Sequence, residues 1–272
     1  MENNEIFMGS DNPFMDSYVK KEIGWYGDMP TKVKLSDGLK LVMEEPHGRL
    51  DDYLNVNFRV GLPAKVPTLY IDNILWMSLT PMEIQSQYLA ILNSYGNVGV
   101  AGLGLGYSAL KMAKKDSVSS VTVFENDRRV IDMFNASLKR KKGFKKINIV
   151  EGDARKLIPD RIFDYLYVDI YESMCPDEIV EDINIFKRCV DDFPNTYAFW
   201  GKERIFIDAY LGFELIDIDV LSWQIQCYIN TWHTTPLPKT YCKNNRTMSS
   251  LYKPMLSEDY ICDVLEALEM EI

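Results

Sequence analysis

Histidine is nearly missing from this chain: only His47 and His233 occur among its 272 residues. A histidine-rich metal centre is therefore not expected, and no metal site is assigned. The five cysteines, Cys175, Cys189, Cys227, Cys242 and Cys262, contain no C-x-x-C pair and are odd in number. That argues against a disulfide framework and for free thiols in a reducing compartment. No apolar run reaches the roughly 20 residues needed to span a bilayer. The first residues, Met1-Glu2-Asn3-Asn4-Glu5, lack the basic start and apolar core of a secretory signal. A cytoplasmic protein without membrane partners is the expectation. Internal repeats and low-complexity tracts are absent as well.

Positive charge is also scarce. Thirty lysines and arginines face 40 acidic residues, for a net charge of −10. Phosphate backbones need neutralising cations, so nucleic acid is not the expected partner. One dense basic run, Lys139-Arg140-Lys141-Lys142-Gly143-Phe144-Lys145-Lys146, reads as a solvated helix end and loop, where cations complement the helix dipole. What the chain does have is apolar mass. Hydrophobic residues make up 47% and charged residues 26%, enough for one large domain or a domain with an accessory piece.

Four landmarks between residues 98 and 169 carry most of the information. Val98-Gly99-Val100-Ala101 breaks into Gly102-Leu103-Gly104-Leu105-Gly106. Val121-Thr122-Val123-Phe124 ends at Glu125. Ile147-Asn148-Ile149-Val150 leads to Gly152-Asp153-Ala154, and Tyr165-Leu166-Tyr167-Val168 ends at Asp169. Four short strands, each ending in glycine or an acid, predict one edge of a parallel sheet. Ligands of open α/β sheets bind at that carboxyl edge. Glycines there let the backbone approach a ligand closely, and the helix starting near Tyr107 points its positive end at the same place. Glu125, with Asn126 beside it, stands where a second-strand carboxylate binds ribose hydroxyls. Its two acceptor oxygens match the two donors of a diol. Asp153, next to Ala154, is placed to accept from an exocyclic adenine amine. Asp169 reaches the same edge near the reacting end. A dinucleotide fingerprint, G-x-G-x-x-G, would need glycine where Tyr107 stands.

The rest of the chain is organised around this block. Residues 1–30 read as a polar, irregular lead with aromatic anchors at Phe14, Tyr18, Trp25 and Tyr26. Asp37-Gly38 predicts a hairpin between strands 32–35 and 39–43, and a second strand pair is expected over 53–60 and 68–76. Thr80, Pro81 and Glu83 form a capping-box start for a helix running to about residue 95. Helices are predicted at 108–115, 128–141, 154–158, 177–189 and 202–211. A fifth parallel strand is expected at 196–200 and an antiparallel pair at 213–220 and 225–231. The tail, 232–272, ends in an acidic amphipathic helix from Glu258, with a face for packing on the body or on a second copy as a homodimer.

The ordered landmarks resemble class I S-adenosylmethionine-dependent methyltransferases and the related aminopropyltransferases, the spermidine synthases. Ile71-Asp72-Asn73-Ile74-Leu75-Trp76 falls where the spermidine-synthase-like branch carries L-D-G-x-x-Q ahead of its sheet. The pattern L-W-M-S-x-T-P-x-E, G-L-G-L-G and V-D-I-[WY] is similar to uncharacterised phage and prophage methyltransferases. The resemblance covers about residues 68–200. It implies an α/β fold: a Rossmann-like, seven-stranded methyltransferase sheet with a small N-terminal β-hairpin domain. The implied division is 1–78, N-terminal β-rich domain; 79–231, cofactor domain; 232–272, C-terminal extension. The implied cofactor is S-adenosyl-L-methionine, held by Gly102, Gly104, Gly106, Glu125, Asn126, Asp153, Ala154 and Trp76. The acceptor would be a small molecule, with Asp169 orienting it or taking its proton, and Tyr171 and Glu172 on the same loop.

The departures bear on the reaction. Leu105 stands where aminopropyltransferases have an aspartate in the glycine loop, and Trp76 replaces their glutamine. Asp169-Ile170-Tyr171-Glu172-Ser173 lacks the proline and small residues of their D-[SA]-[ST]-D-P motif. The D/N-P-P-Y motif of amino-directed DNA methyltransferases is absent too, and Val100 stands where many methyltransferases have an acid. Methyl transfer is thus the leading expectation. Aminopropyl transfer from decarboxylated cofactor, and binding of adenosylmethionine without catalysis, are the alternatives.

Overall fold

A computed structural model describes residue 13 and residues 16–27, 36–46, 65–172, 176–191 and 196–201. The expected strands 32–35 and 53–60, the helix at 202–211, the antiparallel pair at 213–231 and the C-terminal helix lie outside the described residues.

Five parallel strands form the main sheet: β4 (Gly96–Ala101), β5 (Val118–Glu125), β6 (Ile147–Glu151), β7 (Tyr165–Val168) and β8 (Tyr197–Phe199), in the order β6-β5-β4-β7-β8. The chain builds outward from β4 in one direction, then returns to build outward in the other. That reversal is the Rossmann-like switch point, and it lies between β4 and β7. Val98, Val100, Val121, Val123, Leu166 and Val168 are fully buried. Strands covered on both faces read as continuous apolar runs, which is why they were visible in the sequence. Around them lie α4 (Tyr107–Lys114), α5 (Arg128–Leu138), the short α6 (Ala154–Leu157) and α7 (Pro176–Phe186). Five of the seven expected strands are thus present among the described residues.

A separate antiparallel sheet precedes this unit: β1 (Leu39–Glu44), β2 (Val66–Ile71) and β3 (Ile74–Ser78), in sequence order. The single strand expected over 68–76 is in fact two. Asp72 and Asn73 both take positive φ, 52° and 66°. These residue types tolerate the left-handed region, and a two-residue turn of this hand matches the twist of paired strands. Arg129 grips the turn with a two-pronged contact to Asp72, at 2.8 and 3.1 Å, and also pairs with Asp127.

The N-terminal lead is not irregular throughout. Residues Asp16–Gly27 form helix α1, burying Tyr18, Val19, Glu22, Ile23 and Tyr26 on one face. Glu22 meets Lys111 at 2.6 Å and accepts from the Tyr107 hydroxyl at 2.8 Å, and the Tyr26 hydroxyl donates to the Leu105 carbonyl. The single helix expected over 81–95 is divided into α2 (Pro81–Ser86) and α3 (Tyr88–Asn93). Ser86 donates its hydroxyl back to the Glu83 carbonyl at 3.0 Å. Such back-bonding competes with the helical ladder and bends it.

Candidate functional site

The register of the main sheet lines up the four landmarks. Ala101 is level with Phe124 on one side and Val168 on the other, and Glu125 is level with Glu151. One hydrogen bond beyond each strand continues the alignment. Gly102 donates to Phe124, Asp169 to Ala101, Gly152 to Glu125 and Trp200 to Val168. A cavity of about 370 Å³ opens over these strand ends. Its wall includes Trp76, Gly102, Gly104, Glu125, Asn126, Asp153, Ala154, Asp169, Tyr171 and Glu172. Among the expected site residues, Gly106 alone is not in the wall.

The glycine loop does something other than leave room for a ligand. Gly102, Gly104 and Gly106 all have positive φ, 91°, 48° and 71°. A Cβ on Gly102 would strike the Asp169 carbonyl oxygen, on Gly104 the Met77 sulfur, and on Gly106 the Phe134 ring. The space above Gly104 is thus filled by the protein. Met77 Sδ lies 3.0 Å from the Leu105 amide and accepts its hydrogen bond, tying strand β3 to the loop. Leu105 itself is fully buried and absent from the cavity wall. The expected comparison of Leu105 with the aspartate of aminopropyltransferases therefore says nothing about charge near a ligand.

Glu125 is held by backbone amides. Its Oε2 accepts from Leu103 at 3.0 Å and its Oε1 from Asp127 at 2.8 Å. Burial pushes this carboxyl above its usual range, while the amides pull the other way. Each oxygen keeps a second lone pair for a ligand. Asp153 caps α6, accepting from Arg155 N–H at 3.0 Å, and pairs with Lys156 at 3.2 Å. Burial opposes its ionisation, yet Lys156 and the Arg155 amide hold it below the usual range. Each of its oxygens thus has one donor already, as those of Glu125 do.

The opposite end of the cavity adds to Asp169 two residues that the sequence did not single out for a site, Glu83 and Gln87. Thr80 caps α2 as expected, with its hydroxyl 3.5 Å from the Glu83 amide. The reciprocal half of the capping box is not made. The Thr80 amide donates to Ser78, and the Glu83 carboxylate accepts from Gln87 Nε2 at 2.9 Å. Glu83 and Gln87 both line the cavity. Burial, then the charge of Asp169, lifts Glu83 to about 8, against the Gln87 and Trp200 hydrogen bonds. Burial likewise lifts Asp169 to about 7, although the Tyr167 hydroxyl donates to it at 3.2 Å. The charge of Asp169 thus adds to burial at Glu83, and neighbouring carboxyls of this kind titrate as a pair. Tyr171 is 8% exposed, and its hydroxyl has Tyr197, Asp182 and Arg155 as neighbours rather than Asp169. Glu172 is exposed at the rim.

Among the described residues no cluster of His, Cys, Asp or Glu could hold a metal ion, and no helix is long and apolar enough to cross a membrane. No known family profile and no curated protein matches the chain by sequence. Solved structures match part of it. A DhpI–SAH complex is 18% identical, with a TM-score of 0.31, over 38% of this chain and 48% of that one. A methyltransferase from Geobacter sulfurreducens is 21% identical, with a TM-score of 0.30, over 39% and 53%. The O-methyltransferase TomG from Streptomyces achromogenes, involved in tomaymycin synthesis and solved with SAM, is 17% identical, with a TM-score of 0.36, over 54% and 64%. The chain spans about half to two thirds of the length of these structures.

Proposed function

We propose that this chain is a class I S-adenosylmethionine-dependent methyltransferase acting on a small-molecule acceptor. The observation that carries the reading is the set of strand ends around the switch point. A glycine turn follows β4, a carboxylate follows β5 and an acid-led helix follows β6, all on one wall of one cavity. The volume lies within the usual range for small-molecule sites. In this reading Glu125 accepts from the ribose diol through its remaining lone pairs. Asn126 and Asp153 flank the adenine, and Gly102, Gly104 and Ala154 line the wall beside it, with the Met77 side chain swinging off Gly104 to admit the ligand. Trp76, 46% exposed at the rim, covers the ligand from the β3 side. The cofactor would supply an electrophilic methyl group. The protein would supply alignment, which is much of the catalysis of an in-line displacement.

The division at residue 78 belongs to the same reading, and β3 ending at Ser78 supports it. So does the expected homodimer through the C-terminal extension, whose residues lie outside those described. The Asp72-Asn73 hairpin ahead of the sheet fits the spermidine-synthase-like branch, but Leu105 gives no ground for or against aminopropyl transfer.

The test is calorimetric titration with S-adenosylhomocysteine. The unaltered protein is expected to bind it, and Glu125→Ala to weaken binding by about 1–3 kcal/mol, the scale for hydrogen bonds to a charged group. Unchanged affinity in a folded variant would remove Glu125 from the site.

A further inference from the structure

Three hydrogen-bond acceptors crowd the end of the cavity away from Glu125: the carboxylates of Glu83 and Asp169 and the side-chain oxygen of Gln87. Gln87 is 1% exposed, and its Oε1 has no hydrogen-bond partner among the described residues. Its Nε2 is committed to Glu83, which fixes the oxygen as the free end. A buried acceptor left without a donor is costly, and native proteins carry few of them. The cation in this wall, Arg155, is committed to Asp182 at 2.6 and 2.9 Å. The donors that do reach the pair are neutral: the Tyr167 hydroxyl on Asp169 and the Gln87 amide on Glu83, while the Trp200 indole donates to the Ser86 hydroxyl. The wall is therefore rich in acceptors and short of positive charge.

We propose that Glu83, Gln87 and Asp169 form the acceptor subsite, and that the nucleophile they receive is an amine nitrogen entering as its ammonium ion. An ammonium brings three N–H donors and one positive charge, which is what this wall lacks. A neutral hydroxyl brings one donor and no charge, and a carboxylate or thiolate would be repelled. The proposal rests on the methyl-transfer reading above. Ammonium R–NH3+ gives one proton to the Asp169–Glu83 pair and becomes R–NH2. The freed lone pair forms a nitrogen–carbon bond to the sulfonium methyl. The carbon–sulfur bond breaks with its electrons going to sulfur, leaving R–NH2+–CH3 and a neutral thioether. Asp169, at the end of β7, and Glu83, in the first turn of α2, share the proton.

The experiment needs no methyl donor, so it can fail independently of the cofactor reading. Benzylamine and benzyl alcohol are titrated into the protein at pH 7.5, with the side-chain carboxyl carbons followed by NMR. Benzylamine is expected to bind at least tenfold more tightly than the alcohol and to shift both carboxyl resonances. Glu83→Gln is expected to weaken benzylamine about tenfold and leave the alcohol unchanged. Gln87→Met, which keeps the length but removes both the unpartnered oxygen and the Nε2 donor to Glu83, should also weaken benzylamine. Equal binding of the two probes, no binding of benzylamine up to 50-fold above the protein concentration and beyond to its solubility limit, or a preference that survives both variants would overturn the proposal. If benzylamine behaves as expected while S-adenosylhomocysteine does not bind, the subsite stands and the cofactor reading falls.

Discussion

The two ends of the cavity solve the same problem in opposite ways. Each places half-buried carboxylates at or beside the carboxyl edge of the parallel sheet. At one end Glu125 is surrounded by backbone N–H groups that come with the glycine turn and the α5 cap. At the other, Glu83 and Asp169 face each other with little donor support. The first arrangement has a donor on each oxygen before any ligand arrives. The second is complete only when something protonated arrives. Amide donors belong to the fold and cannot be withdrawn, whereas a proton or a cationic group can come and go. One end is therefore built to hold and the other to exchange.

Changing the charge at each end should break this contrast in opposite directions. Leu105→Asp carries the largest expected effect. Leu105 is fully buried beneath the glycine loop, so an aspartate there places an unpaired charge in the core. A loss of roughly 3–5 kcal/mol is expected, read as a drop in denaturant midpoint; a folded variant with altered ligand preference instead would restore the charge argument at this position.

Removing a carboxylate at the other end should do the reverse. A folded-state value raised above its unfolded one means the native state prefers the proton. Stability is then lost as pH climbs from the ordinary carboxyl range near 4.5 toward about 8, and the loss is complete above that. Glu83→Gln removes the titrating group. The variant should gain on the unaltered protein with rising pH, by on the order of 2–3 kcal/mol at pH 9, with no such pH-dependent gain at pH 4. Paired melts at the two pH values measure this, and parallel pH profiles would show that the Glu83 carboxyl is not raised on folding.

The smallest effect concerns what holds the hairpin in place. Asp72 is 63% exposed, so its contact with Arg129 is screened by solvent. Asp72→Ala should leave the melting temperature almost unchanged and S-adenosylhomocysteine affinity within a factor of three. A larger fall in affinity would show that the turn, and not only β3, shapes the rim.

The sequence made the first end legible and, apart from Asp169, the second nearly invisible, for a physical reason. Strands buried on both faces announce themselves as apolar runs, and a carboxylate that closes such a run stands out against it. Glu83 had a complete alternative, since T-P-x-E reads as a helix cap, and only the three-dimensional arrangement shows its side chain turned to Gln87 and toward Asp169. Gln87 carries no signal at all; its interest lies in an oxygen left over. Helix α1 was missed because its inner face is made of tyrosines and a buried Glu22, which blur an apolar stripe. The β2–β3 turn was missed because Asp72-Asn73 reaches positive φ without glycine.

Met77 has a consequence for the speed of events at the glycine turn. The side chain over Gly104 is a thioether on three rotatable bonds, and it holds the Leu105 amide through a weak acceptor. A molecule arriving at Gly104 displaces that side chain and needs no shift of the backbone beneath it. Rotamer exchange takes picoseconds to nanoseconds for exposed side chains, against microseconds and longer for collective movements of whole elements. What covers the turn is thus one flexible side chain and not a moving element, so a ligand that binds there would have a single rotamer to displace.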